Sequence, residues 1–252
     1  MIAEIVTIGT LLTADNCSID YRHYQNNKDK VIVIAHGFYN SKDAVLLTEL
    51  AKYFFDEYDV FMFDFRGHGK SGGLYSWTAK ENQDLNAALN YLKGKYKKTG
   101  LLAFSLGGSV SINVLAQRHD VDSLVCVSTP SDFSKIDYQF WNLDLEGDLF
   151  YTMFTKEGRY GRGFRPGPFW LTKEKPIDNI NKVTAPVLYI HGEKDWVIKP
   201  WHSKALYEKT ILNKKLVIIK NGPHAEYLMK DSEKEFVGEI KNWFNQTLAE
   251  VK

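Results

Sequence analysis

The sequence predicts a doubly wound, mostly parallel α/β sheet with helices on both faces and a small inserted cap. Three observations carry that expectation. Short β-branched runs alternate with helix-length segments along most of the chain, which is the pattern of parallel βαβ units. Several runs are apolar nearly throughout rather than at every second residue, as in VIVIAHG (Val31 to Gly37) and DVFMFDF (Asp59 to Phe65), so those strands are buried on both faces. The rhythm breaks once, between Ser131 and about Asn181, a stretch too long to stay structureless inside a compact domain.

In chain order, two alternating stretches around Ile5 to Thr13 and Ser18 to Tyr24, joined through Asp15 and Asn16, predict an antiparallel hairpin at a sheet edge. The buried strand at Val31 precedes a helix over about Lys42 to Glu57, and the strand at Asp59 precedes one over about Ala79 to Lys97. GLLAFS (Gly100 to Ser105) is a strand feeding a helix that runs to about His119, and SLVCVSTP (Ser123 to Pro130) is the next strand. After the interruption come APVLYIHG (Ala185 to Gly192), a helix over Lys199 to Glu208, KKLVIIK (Lys214 to Lys220) and a closing amphipathic helix over Asp231 to Val251. The organisation is therefore a core formed by residues 1–130 and 182–252, with 131–181 inserted as a cap or lid. The aromatics of the insertion, among them Phe133, Tyr138, Trp141, Phe154, Phe164 and Trp170, either form a satellite core or line a pocket beneath the cap.

Bulk composition narrows the function classes. With 252 residues the chain is long enough to bury a large core. Lys and Arg total 32 against 31 Asp and Glu, so no electrostatic argument favours nucleic acid or an anionic membrane as partner. Two cysteines, Cys17 and Cys126, make no disulfide framework and lack metal-ligand spacing. The N-terminus has neither a basic start nor a long apolar stretch, and no run approaches the ~18 apolar residues of a membrane span. The expected location is the cytoplasm. Oligomeric state stays open, a homo-oligomer included.

The chemistry sits at strand ends. In Ala103-Phe104-Ser105-Leu106-Gly107-Gly108 a serine stands where a buried strand turns into a helix, with small residues two before and two after it. Such a turn lifts the serine to the sheet edge, and only small neighbours fit the crowding. The helix N-terminus behind it favours a developing oxyanion. The other reading of Ser105 is a plain helix N-cap. His224 lies in NGPHAEY after the last strand, and Asp195 in HGEKDWVI after the strand at Ala185. Parallel strands end on one edge, where a serine nucleophile, a histidine base and an orienting carboxylate can converge. Asp132, after the strand at Ser123, competes for the acid role. His36, Asp64, Arg66, His68 and His191 read as scaffold or packing, and the GKS at Gly69 to Ser71 lacks the earlier glycine of a phosphate loop.

Four stretches, AHGFYNSKD, DFRGHGKS, AFSLGG, and HGEKDWVIKP with NGPHAEY, resemble the α/β-hydrolase superfamily across nearly the whole chain, in particular its capped carboxylesterases, monoacylglycerol lipase-like and cinnamoyl esterase-like serine hydrolases. Ala103 replaces the first glycine of the usual G-x-S-x-G and keeps it small. The resemblance implies an oxyanion hole made by the backbone N–H groups of Phe38 and Leu106. It implies a serine esterase that uses Ser105, His224 and Asp195 without cofactor or metal, on a small-molecule ester with an apolar or aromatic acyl or alcohol group. The same triad serves acyltransferases, thioesterases and amidases, and a non-catalytic binding protein could occupy the fold.

Overall fold

The computed structural model describes residues 5–136 and 163–249. Eight strands form one sheet: β1 (Ile5–Leu12), β2 (Ser18–Gln25), β3 (Lys30–Ala35), β4 (Asp59–Phe63), β5 (Lys98–Phe104), β6 (Ser123–Val127), β7 (Val187–Gly192) and β8 (Lys214–Ile219). Their spatial order is β1-β2-β4-β3-β5-β6-β7-β8. The β1–β2 and β2–β4 pairs are antiparallel and all others parallel. The expected edge hairpin is thus present, and the two strands expected to be doubly buried are: β3, apart from its first residue, and β4 are buried along their length, as β6 and β7 are too.

Helices α1 (Val45–Lys52), α2 (Glu81–Leu92), α3 (Leu106–Leu115), α4 (Trp201–Lys209) and α5 (Glu233–Thr247) cover the two faces. Alternate residues of one strand serve opposite cores, as side chains on a pleated strand must. Val31, Val33 and Ala35 of β3 pack with Leu85 and Leu89 of α2 and Val110 of α3, while Ile32 and Ile34 pack with Leu47 and Leu50 of α1 and Phe236 and Phe244 of α5. Helix α3 is buried at all ten positions, which explains its lack of a polar stripe. The observed helices are shorter than the sequence periodicity suggests: the closing one ends at Thr247 and the first begins at Val45.

The chain order places a switch point at the centre. From β3 the next strand, β4, lies on one side, and β5 and its successors lie on the other. Loops leaving the C-terminal ends of β3 and β5 therefore diverge and open a crevice between them, the usual ligand position in an open α/β sheet. Phe38 follows β3 and Ser105 follows β5. Among the described residues no helix is long and apolar enough to cross a membrane.

Candidate active site

Ser105 adopts φ 46° and ψ −111° between β5 and α3, a region that L-residues avoid and that marks functional strain when the fold enforces it. Here enforcement is visible. The Ser105 N–H donates to the Val127 carbonyl of neighbouring β6 at 2.8 Å, and the Ser105 carbonyl already accepts from Gly108 N–H at 3.0 Å. The side chain makes no cap hydrogen bond to α3, which removes the plain N-cap reading. The small residues flanking the serine have specific neighbours. A Cβ on Gly107 would lie 2.4 Å from the Ala35 carbonyl oxygen and 2.7 Å from that of His36, so the start of α3 can approach the β3 end only without one. Ala103 is fully buried in β5 between Ala35 and Cys126 of the adjacent strands.

The β3 loop is pinned by two neutral histidines. Phe65 N–H donates to His36 Nε2 at 3.0 Å, so His36 Nδ1 carries the proton and donates to the Gly37 carbonyl at 2.7 Å. His68 Nε2 accepts from Tyr39 N–H at 3.2 Å. Burial holds both rings neutral, pushing His36 down to about 4 and His68 to about 3. Their role is to shape the loop, as the sequence suggested. Asp64 and Arg66 also serve as scaffold. Asp64 accepts from the backbone of Lys42 and Lys70 and pairs with the buried Lys42 ammonium at 3.0 Å. Arg66 bridges Asp15 and the fully buried Asp84. Among the described residues no acceptor takes the N–H of Phe38 or Leu106. Leu106 is the first residue of α3, where intrahelical acceptors are absent. The Gly37 position lies against the serine: a Cβ there would be 3.4 Å from Ser105 Cβ.

His224 and Asp195 meet directly. His224 Nδ1 lies 2.7 Å from Asp195 Oδ2. An ionised carboxylate only accepts, so Nδ1 carries the hydrogen, and Nε2 of the neutral ring keeps its lone pair. Asp195 is 1% exposed, yet three donors satisfy it. Oδ1 accepts from Val197 N–H at 3.0 Å and Ile198 N–H at 2.8 Å, and Oδ2 accepts from His224, with His191 Nε2 a further 3.2 Å contact at Oδ2. Burial works against the charge, but the two histidines outweigh it and hold the carboxyl well below its ordinary range.

Backbone contacts bring the acid and base loops together and tie them to the serine. A Cβ on Gly192 would lie 2.1 Å from the Pro223 carbonyl oxygen, so the end of β7 can touch the histidine loop only as glycine. Ala225 N–H, next to His224, donates to Ser128 Oγ at 3.0 Å, while Ser105 N–H is held by the adjacent Val127. The end of β6 therefore anchors both the serine turn and the histidine loop. Asp132 stands apart from this arrangement. It caps a short 3-10 turn, Phe133–Lys135, accepts from Ser134 and pairs with Lys175 at 3.0 Å. Sequence reasoning missed Ser128 and gave His191 only a packing role. The one sequence signal for His191 was its position four residues before Asp195.

Next to the β3 loop, Phe38, Tyr75, Trp77 and Phe164 form a group of rings with centroids 5.0–5.7 Å from Phe38. Phe38 remains 43% exposed. The segment at Arg165 is stitched to the neighbouring loop by Tyr75 N–H to the Arg165 carbonyl and Arg165 N–H to the Gly67 carbonyl. The expected cap aromatics between Tyr138 and Tyr160 lie outside the described residues. Among the described residues no cluster of His, Cys, Asp or Glu could hold a metal ion.

Comparison with known proteins agrees with this architecture. The uncharacterized protein YqkD of Bacillus subtilis is 28% identical over 210 residues, covering 81% of this chain and 68% of that protein. The uncharacterized protein YfhR of Escherichia coli K12 is 28% identical over 176 residues, 67% of this chain and 54% of its own length. The chain thus spans between half and about two thirds of these relatives. Among solved structures, the Pyrococcus furiosus esterase Pf2001 superposes with a TM-score of 0.78 at 23% identity, covering 97% of this chain and 93% of its own. The esterase RhEst1 of Rhodococcus sp. does so with 0.76 at 19%, covering 95% and 99%. The sequence matches the family described as alpha/beta hydrolase fold over residues 30–148 and 141–231, and the chain belongs to that family.

Proposed function

We propose that the chain is a serine hydrolase that cleaves a carboxylic ester, with Ser105 as nucleophile, His224 as general base and acid, and Asp195 as the group that orients and stabilises His224. The observation that carries the reading is the buried Asp195 carboxylate bonded to His224 Nδ1, on the same sheet edge as a serine in a strained turn. In this reading Ser105 Oγ attacks the ester carbonyl carbon while His224 Nε2 takes the hydroxyl proton. The carbonyl oxygen becomes an oxyanion and accepts from the Phe38 and Leu106 N–H groups. The C–O bond to the alcohol then breaks, and His224 returns its proton to the leaving oxygen. Water, deprotonated by the same Nε2, attacks the acyl-enzyme. The second tetrahedral adduct releases the acid and restores Ser105.

The half-exposed Phe38 and the rings beside it support an apolar or aromatic acyl or alcohol group. The contacts of Arg165 with the loop at Gly67 to Tyr75 support residues 131–181 as a cap reaching over the oxyanion side.

The test is Ser105→Ala on a panel of p-nitrophenyl and hydroxycinnamoyl esters. Loss of the nucleophile lowers kcat by about 10⁶ with the melting temperature unchanged. A fluorophosphonate probe labels Ser105 in the wild type. A variant that keeps a tenth of the activity, or an adduct on another serine, refutes the assignment. Product distribution with added alcohol separates hydrolysis from acyl transfer.

A further inference from the structure

Asp195 is fixed by two histidines, and the proposed reaction uses only one of them. The other, His191, is completely buried at the end of β7. Its Nε2 lies 2.7 Å from the Ile198 carbonyl oxygen and 3.2 Å from Asp195 Oδ2. Both neighbours can only accept, so Nε2 bears hydrogen whatever the charge of the ring. Nδ1 lies 2.6 Å from Ser203 Oγ on α4, which sets the ring from its far side. Asp195 Oδ2, the oxygen that accepts from His224, is the one His191 Nε2 approaches.

We propose that His191 is a positioning residue for the catalytic acid: its Nε2–H, shared between Ile198 and Asp195, fixes the carboxylate and draws off part of the charge that Oδ2 presents to His224. The inference rests on the triad reading above. Two consequences follow from the geometry. Without the Nε2–H, Oδ2 keeps only His224 as donor and the carboxylate can rotate about its two backbone bonds, so the imidazole loses its fixed direction. With one donor fewer, Oδ2 also becomes more basic and stabilises the His224 imidazolium more strongly. Among the described residues His202 of α4, which itself faces Asp132 and Lys135, is a further titratable group beside His191. It is buried, accepts from the Ser131 N–H at 3.1 Å and is pushed down to about 4, so it stays neutral through the working range and does not mask the effect.

The experiment compares His191→Leu, which deletes the donor, with His191→Gln, which returns an amide N–H near the Nε2 position. Both are assayed in the full-length protein with p-nitrophenyl acetate across pH, with melting temperatures alongside. For His191→Leu the expected result is a loss of about tenfold in kcat, the lower end of what outer partners of a functional group contribute. KM stays unchanged, and the acid limb of kcat/KM moves to higher pH. His191→Gln recovers most of kcat and returns the limb toward its original position. A purely structural role would lower stability without moving the limb, and either a silent folded His191→Leu or a His191→Gln no better than His191→Leu overturns the proposal. Should His191→Leu fail to fold, the ring tautomer in the wild-type protein, read by long-range ¹⁵N–¹H correlation, decides: a ring protonated only at Nδ1 overturns the proposal as well. Ser105→Ala and Asp195→Asn run in parallel. If they stay active the triad reading itself fails, whereas if they lose activity while His191→Leu does not, only the inference about His191 falls.

Discussion

Asp195→Asn tests the acid assignment through a hydrogen-bond argument that the structure makes specific. The Val197 and Ile198 N–H groups both point at Oδ1, so the amide oxygen of Asn must take that place. The NH₂ then occupies the Oδ2 position and faces His224 Nδ1 at 2.7 Å and His191 Nε2 at 3.2 Å. A donor there can satisfy His224 only if the ring loses its Nδ1 hydrogen and carries one on Nε2. The lone pair that should receive the Ser105 proton then points away from the serine. The same NH₂ meets the Nε2–H of His191 donor to donor, which adds a cost that a triad with a single histidine would not have. Wrong-tautomer variants of this kind lose about 10⁴ in kcat, equivalent to about 5 kcal/mol of barrier. The assay is steady-state hydrolysis of p-nitrophenyl acetate with circular dichroism as the fold control. Asp132→Asn is the comparison: its carboxylate holds Ser134 and Lys175, so its removal loosens the start of the insertion and leaves kcat within a few-fold. The reverse ranking of the two variants refutes the assignment of the acid.

Two further predictions concern the cap and pH. Replacing residues 137–162 with a short linker lowers kcat/KM for large aryl esters far more than for acetate esters; equal losses would reduce the segment to a support for the fold. Burial pushes His23, His36, His68 and His202 from the ordinary 6.5 down to about 4, 4, 3 and 4, so the folded chain binds fewer protons than the unfolded one below pH 6.5. Their contribution is complete above that pH and is lost progressively toward pH 4. Melting temperature measured by scanning calorimetry therefore falls from pH 7 to pH 5, and a flat profile contradicts the neutral assignment of these rings.

The parts of the molecule legible from the sequence are those in which local composition and global position agree. β3, β4 and β6 were readable because a strand buried on both faces must be apolar at successive positions. The serine turn was readable because crowding at Gly107 leaves a compositional trace. Ser128 left none, and His191 left only its spacing four residues before Asp195. Ser128 acts through one hydroxyl that receives a backbone N–H from 97 residues further along the chain, and a serine at a strand end has many unremarkable uses. His191 sits in a continuous apolar strand, where a histidine reads as packing unless its partner is known. The choice between Asp195 and Asp132 was likewise not decidable from residue type, since both follow parallel strands. In the structure the His224 loop reaches Asp195, next to the close contact at Gly192.

Gly192 and Gly107 show how the site couples to the sheet. Each packs against a carbonyl oxygen of another segment so closely that an added Cβ would lie 2.1 Å from the Pro223 oxygen at Gly192 and 2.4 Å from the Ala35 oxygen at Gly107. The first contact presses the acid strand against the histidine loop; the second presses the serine helix against the β3 end that leads to Phe38. Between them, β6 holds Ser105 through Val127 and the histidine loop through Ser128. The three side chains of the proposed reaction and the loop of the oxyanion donor are thus located by main-chain contacts and one hydroxyl, while the sheet beneath is held by two apolar cores. Substitutions in the cores act first on stability, through cavities and lost burial. Substitutions at these contacts act first on geometry, and a displacement of about 1 Å at a reacting centre costs on the order of 10² in rate.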